Sequence, residues 1–419
     1  MDRSVRRSVV GPGLVRLPDQ AMPAARQSFL REHNLSLLLR QIIDSPQPVS
    51  RAQLAKTTGL TRATVSALVD RLLAGSMIEE LDPRVADGAG RPGVPLRPAS
   101  SGVVGLGLGV QLDHVGARVV NLAGVVLEER IVPGNFRASD PQSVVGRLAE
   151  LTDRMVATLT RRGERLAGVG VSVPGSVQKT TQVLRYAPNL DWYDVDVADL
   201  LRTHVDLGDL PVLVGNDADL AARAEARARS GARRTPRQEQ SFLYVTCEVG
   251  LGGAIVVRGD LPDGWSGDLG HIAVDRAGPP CGCGARGCLE QYAGRDTMLI
   301  RSGIGVGSSM DDLRRAVDAG ERAPGLSVAD AAEGLGVVIS STLNLVTLDT
   351  VVLGGAFVPI ADLLVPTIDR HVKRRTFASR WQPISVEAGV AGPLAPLTGA
   401  ALLVVDEVVA NPTALLATA

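Results

Sequence analysis

The first ordered pattern along the 419-residue chain is helical. Leu35, Leu38, Leu39 and Ile42 recur at three- and four-residue spacing from a start near Asn34, and Pro46 and Pro48 end the run. Ser50 followed by Gln53 predicts a capping box that opens a short second helix through Leu54 and Ala55, stopped by Gly59. Thr61 caps a third helix, whose apolar stripe of Val65, Leu68, Val69 and Leu72 turns Arg62, Thr64, Ser66 and Arg71 outward. Alternation then takes over: Ile78 to Leu81 reads as a strand, Asp82-Pro83 as a turn, and GAGRPGVPLRP as the return toward a second strand. Two short helices joined by a tight turn and followed by a hairpin predict a winged helix-turn-helix, assigned to residues 31–98. Residues 1–30 keep no period and are expected to form a flexible basic tail, and Ser100-Ser101-Gly102 places a linker at 99–102.

From Val103 the pattern changes. VVGLGLGV, ARVVNLAG and VVLEERIV read as hairpin-connected strands, followed by a helix from Pro141 to Arg161 and a buried strand from Ala167 to Val173. A further strand, Pro211 to Val214, ends at Asn216-Asp217. The theme then repeats: SFLYVTCEV and GGAIVV as strands, a long helix near Ser327 to Thr347, TVVLGG as a strand, and a final helix from about Leu397 to Val409. The body, 103–419, is therefore expected to be α/β in two halves.

Charge divides the chain at the same place. Residues 1 to 100 hold 14 Arg plus Lys against 9 Asp plus Glu, whereas the net charge of the whole chain is −1. A basic head on an acidic body fits one domain that meets a polyanion. The expected DNA contacts are Arg51, Thr61, Arg62, Thr64, Ser66 and Arg71, with Arg91 in Gly90-Arg91-Pro92-Gly93 placed to enter a minor groove. No segment reads as a signal peptide or a membrane span, so a cytoplasmic protein without a membrane partner is expected.

Three of the four cysteines lie within GHIAVDRAGPPCGCGARGCLE. His271, Cys281, Cys283 and Cys288 could close on one tetrahedral ion, and one residue between Cys281 and Cys283 suits two thiolates on a metal better than a disulfide. Because four protein ligands leave no open position, the expected zinc is structural. Cys247 stands apart and reads as an ordinary core cysteine.

The head and wing, VPGSV, APNLDW, GNDADLAARAE, SGDLGHI and CGCGARGCLE occur in one order, and in this the chain resembles the ROK family of repressors, open reading frames and sugar kinases. The resemblance implies an actin-like, two-lobed sugar-kinase fold with a ligand cleft between the lobes. It also implies that Asp217 corresponds to the catalytic base of the kinases, here vestigial, and that Asn189, Asn216, Asp217, Asp268, His271 and Glu290 contact a sugar. Asp268 stands where those enzymes usually carry a glutamate, one methylene longer. Their first phosphate loop, G-x-D-x-G-G-T, corresponds to Gly105-Leu106-Gly107-Leu108-Gly109-Val110-Gln111, without the Asp, one Gly and the Thr. Their second corresponds to Glu248-Val249-Gly250-Leu251-Gly252-Gly253-Ala254, where Val249 offers no hydroxyl and Glu248 would repel phosphate. The expectation is a non-enzymatic, sugar-responsive repressor that binds an inverted-repeat operator as a homodimer or tetramer. The alternative is an ATP-dependent sugar kinase that retains Asp217.

Overall fold

The computed structural model describes residues 27–82, 94–233, 236–248, 250–262 and 267–416. The expected tail up to residue 26, Arg91 of the expected wing and Val249 lie outside them.

The head is three helices, Gln27–Ile43, Arg51–Thr58 and Arg62–Ala74, and a three-stranded antiparallel sheet in the order Val49–Ser50, Pro95–Pro98, Ile78–Glu80. Ser50 and Gln53 cap each other reciprocally as their spacing predicts, and Thr61 accepts the Thr64 N–H at the start of the third helix. Leu35, Leu38, Leu39, Leu54, Val65, Val69 and Leu72 are fully buried together; each contributes about 1.5–3 kcal/mol by leaving water. The first helix begins at Gln27, inside the segment expected to be tail. Its opening turns carry Phe29 and Leu30 on exposed positions, so no apolar stripe announces them.

The first lobe of the body holds a five-stranded sheet in the order Val212–Asn216, Arg165–Val173, Val103–Val110, His114–Asn121, Val126–Pro133. The first three run parallel, the fourth is antiparallel to them, and the fifth, antiparallel to the fourth, runs in their sense again. Helix Pro141–Arg162 covers one face, and helices Asp217–Arg233 and Ala395–Ala410 cover the other. A Cβ at Gly107 would lie 2.2 Å from the Leu397 carbonyl oxygen, and one at Gly170 only 1.9 Å from that of Ala400. Glycine in the strands lets the last helix lie directly on the sheet, so part of the VGLGLGV pattern records helix packing.

The second lobe has a four-stranded sheet in the order Leu251–Val256, Phe242–Cys247, Thr350–Gly355, Ser385–Ala388. Its long helix is Arg322–Leu343, not Ser327 to Thr347: Pro324 is tolerated in the first turn, and the helix ends at Asn344. This helix is long and apolar enough to cross a membrane, but 67% of its most apolar window is buried in the lobe, as befits a core helix.

The linker expected at 99–102 is pinned rather than free. Ser100 donates through its N–H and hydroxyl to Glu79 of the head, while Gly102 N–H donates to Glu164 of the body at 2.6 Å. The head also rests on the C-terminal helices, with the Leu416 side chain against Gly75, and its core runs without a break into Leu402, Val405 and Val409.

Candidate functional site

Strand Val212–Asn216 passes directly into helix Asp217–Arg233, so Asn216 and Asp217 stand at the carboxyl end of a parallel strand and the N-terminus of a helix. Open α/β sheets bind ligands at such ends. Asn216 Oδ1 accepts the N–H groups of Ala218 at 2.8 Å and Asp219 at 3.1 Å, and Nδ2 donates to the Gly175 carbonyl at 2.7 Å. Most of its hydrogen-bonding capacity thus caps the helix and ties it to the Pro174-Gly175 turn. Asp217 is buried and accepts the Ala218 N–H at 2.9 Å. Burial pushes its carboxyl up to about 7, against backbone N–H groups that favour the anion and with Asp219 adding to the rise.

The opposite wall comes from the second lobe. Glu290 opens the short helix Glu290–Ala293, and its Oε2 accepts the Leu251 N–H at 3.1 Å. Asn189, Asn216, Asp217, Asp268, His271 and Glu290 all line one cavity between the lobes. Thr246 and Glu248 line it too, and the sequence had pointed to Glu248 only as an obstacle to phosphate. Arg137 reaches Asp296 at 2.5 Å, and Arg295 reaches Asp113 at 3.5 Å. These pairs bridge the lobes beside that cavity.

Behind His271 the chain folds into a tight loop, with Ala273 bridged to Cys288 and Pro280 to Arg286. Cys281 Sγ lies 3.7 Å from His271 Nδ1 and Cys283 Sγ lies 3.7 Å from Cys288 Sγ; the four donor atoms are all within 4.8 Å of one another. A tetrahedron with metal–sulfur bonds of about 2.3 Å has edges of about 3.8 Å, so the cluster is the right size for one metal ion. Burial, then the neighbouring thiols, push Cys288 up to about 12, whereas the Ala285 N–H favours the Cys283 thiolate. A cation among them would keep all three ionised.

On the head, Thr61 and Arg62 are exposed, and Thr64, Ser66 and Arg71 are half-buried on the flank of the third helix. Thr61 and Thr64 face each other with their hydroxyls 2.9 Å apart. Arg51 pairs with Asp70 at 2.9 Å and Glu80 at 2.8 Å, so its guanidinium ties the second helix to the third and to the sheet. Ala63 and Ala67, which the sequence pattern did not single out, are exposed on the same helix.

Helix Asp217–Arg233 also reaches the head. From its second half Arg227 contacts Asp44, in the turn after the first head helix, at 3.4 Å and donates to the Leu122 carbonyl. Gln238 donates to the other Asp44 oxygen at 3.0 Å. Next to them Arg223 and Arg237 clamp Asp406.

The ROK family model matches residues 104–407, well over half of the chain. The xylose repressor of Bacillus subtilis is 24% identical over 389 residues, which span 92% of this chain and 98% of that protein. A glucokinase of Streptomyces coelicolor is 27% identical over 323 residues, spanning 71% of this chain and 97% of the kinase. A solved ROK family transcriptional regulator, a homologue of the Escherichia coli MLC protein, superposes with a TM-score of 0.73 at 22% identity, over 93% of this chain and 98% of its own; that likeness is one of fold. The family model spans both lobes of the body, and the chain belongs to the ROK family.

Proposed function

We propose that this chain is a sugar-responsive transcriptional repressor whose operator affinity changes when a sugar occupies the cavity between the lobes. The observation that carries the reading is the course of helix Asp217–Arg233. It begins at the cavity and its second half meets Asp44 of the head, so one rigid element touches both sites. The relatives agree in layout: the match to a repressor extends over the head as well, whereas the match to a kinase takes in a share of the chain no larger than the body.

In this reading Asn189, Asn216, Asp217, Asp268, His271 and Glu290 hold the sugar by its hydroxyls, with the one free N–H of Asn216 as its donor. His271 offers Nδ1 to a structural zinc with Cys281, Cys283 and Cys288, which leaves Nε2 for a hydroxyl and fixes its tautomer. The zinc supplies shape, not chemistry. Arg62, Ser66 and Arg71 are the direct DNA contacts; Thr61, Thr64 and Arg51 order the helix that carries them. A homodimer would present two heads to an inverted repeat.

DNase footprinting with purified protein on the DNA around its own gene and adjacent sugar-uptake genes tests this. The expected result is a protected inverted repeat whose protection changes when the cognate sugar is added. No protection, with or without sugar, overturns it. One observation favours a second reading: Asp217, with its carboxyl near 7, is poised to take a proton from a sugar hydroxyl, as a kinase base must. Turnover of ATP with a sugar panel, abolished in Asp217→Asn, would establish that activity.

A further inference from the structure

A second cleft lies where the head meets the body, and it shares no described lining residue with the cavity between the lobes. Its volume of about 440 Å³ falls within the range of about 300–1,000 Å³ usual for small-molecule sites. The head contributes residues 43–46 and Pro98. From the body, helix Asp217–Arg233 contributes Ala224, Arg227, Ala228 and Gly231. Spacings of three and four put these on one face of the helix. Three of them are Ala or Gly, so the face leaves room around Arg227, and a Cβ at Gly231 would meet nothing within 4 Å.

Arg227 is only half satisfied. A guanidinium has five N–H donors; Arg227 spends one on Asp44 at 3.4 Å and one on the Leu122 carbonyl at 3.2 Å. The Asp44 contact is longer than the about 2.7–2.9 Å of a good charge-assisted hydrogen bond. The other Asp44 oxygen is taken by Gln238 at 3.0 Å, so the pair does not form a two-bonded fork. A Cβ at Gly124, in the cleft wall, would come within 3.0 Å of Arg227 Nε, and its absence leaves that flank open. Arg118, on the same wall, is by contrast held by Glu129 and Thr398. The surroundings favour an anion: burial raises the Asp44 carboxyl, but Arg227, Arg237 and Arg40 all act on it in the opposite sense.

A poorly paired guanidinium beside small apolar residues fits a ligand with one carboxylate on a compact apolar body, because a free carboxylate can make the two parallel bonds that Asp44 lacks. We propose that this cleft is a second ligand site, which takes a small organic acid whose carboxylate binds Arg227 in place of Asp44 and whose body lies on Ala224, Ala228 and Gly231. Such a ligand undoes a contact between head and body, and so acts on operator binding from outside the sugar cavity. Only this last consequence rests on the repressor reading.

Calorimetric titration of the full chain with benzoate and isobutyrate, with their neutral amides, and with inorganic phosphate tests the site. At least one acid is expected to bind, and its amide about tenfold more weakly, as for the loss of a charge-assisted hydrogen bond. Gly231→Leu, whose side chain tilts toward the helix N-terminus and over Arg227, should weaken binding by about tenfold, and Arg227→Gln should abolish it. Asp44→Asn removes the competing carboxylate and should bind the acid about tenfold more tightly, which a purely structural role for Asp44 does not produce. Circular dichroism confirms that the variants are folded. Failure of both acids to bind overturns the proposal, as does equal affinity in wild type and Gly231→Leu. An amide that binds as tightly as its acid, or phosphate that binds as tightly as either acid, overturns the carboxylate assignment. On labelled operator, saturating acid should shift the affinity of the wild type about fivefold or more and leave Arg227→Gln unchanged. An unshifted wild type overturns the effect on DNA, whereas a chain that binds no operator at all overturns the repressor reading and leaves the site standing.

Discussion

At the scale of single residues, the cavity is a place where carboxyl groups are held out of water, and its pH behaviour follows. The Asp217 carboxyl titrates near 7 in the fold and near its ordinary value of 3.8 in the unfolded chain. Between those values the folded state binds more protons, so stability falls as pH rises through this window. Asp217→Asn removes that loss. At pH 8 it should raise the unfolding free energy by up to about 4 kcal/mol, at about 1.4 kcal/mol per pKa unit, with a smaller gain at pH 5. Urea unfolding at the two pH values measures both, and equal gains would show that Asp217 is not strained by ionisation. Asn216 illustrates what a sequence conceals. An Asn-Asp pair at a strand end was legible, and two of the Asn216 hydrogen bonds cap the helix locally at Ala218 and Asp219, but the third ties its amide to the Gly175 carbonyl, 41 residues away.

At the scale of elements, legibility tracked local periodicity. The head helices, the capping box at Ser50 and the stripe on Arg62–Ala74 follow from spacing alone, because each is fixed by residues within a few turns. Helix Pro141–Arg162 was readable for the same reason, with Asp140 and Gly163 as its caps. The start of Gln27–Ile43 was not, since its first turns bury nothing, and the true bounds of Arg322–Leu343 were blurred by apolar residues on every side. Glu248 escaped notice as a cavity wall because its place depends on Gly355 from a distant strand. The Cys/His loop is the opposite case, an element whose shape is carried by four donors in eighteen residues. Cys283 is exposed, so Cys283→Ser removes one donor without opening the core. Metal analysis of the purified protein should give about one zinc per chain for the wild type and much less for the variant. Sugar affinity should fall by about tenfold, because His271 loses its orientation. A variant without zinc that binds sugar normally would separate the loop from the cavity.

At the scale of the whole molecule, sugar and DNA must bias the same equilibrium in the proposed function, and in that reading the bias is exerted at the joint between head and body. The joint has two parts of different character. Asp406 is gripped by Arg223 and Arg237, which hold its carboxyl far below the usual range despite burial, and it anchors the C-terminal helix to the body. Asp44 and Arg227 form a looser pair at 3.4 Å: burial raises the Asp44 carboxyl and lowers the Arg227 guanidinium, so desolvation outweighs their attraction. In the proposed function, a contact held at net cost is the part of the joint that would yield if a sugar moved helix Asp217–Arg233. Asp44→Asn keeps the shape but leaves the buried Arg227 guanidinium without its carboxylate, which should loosen the docked head whether or not sugar is bound. The ratio of operator affinities without and with sugar should then shrink toward one, while the variant alone still binds its operator. By linkage, the effect of operator DNA on sugar affinity must shrink by the same factor. Fluorescence anisotropy on labelled operator and calorimetry with sugar, each with and without the other ligand, measure the two ratios independently. If both ratios stay at their wild-type values in Asp44→Asn, the signal does not pass through this joint.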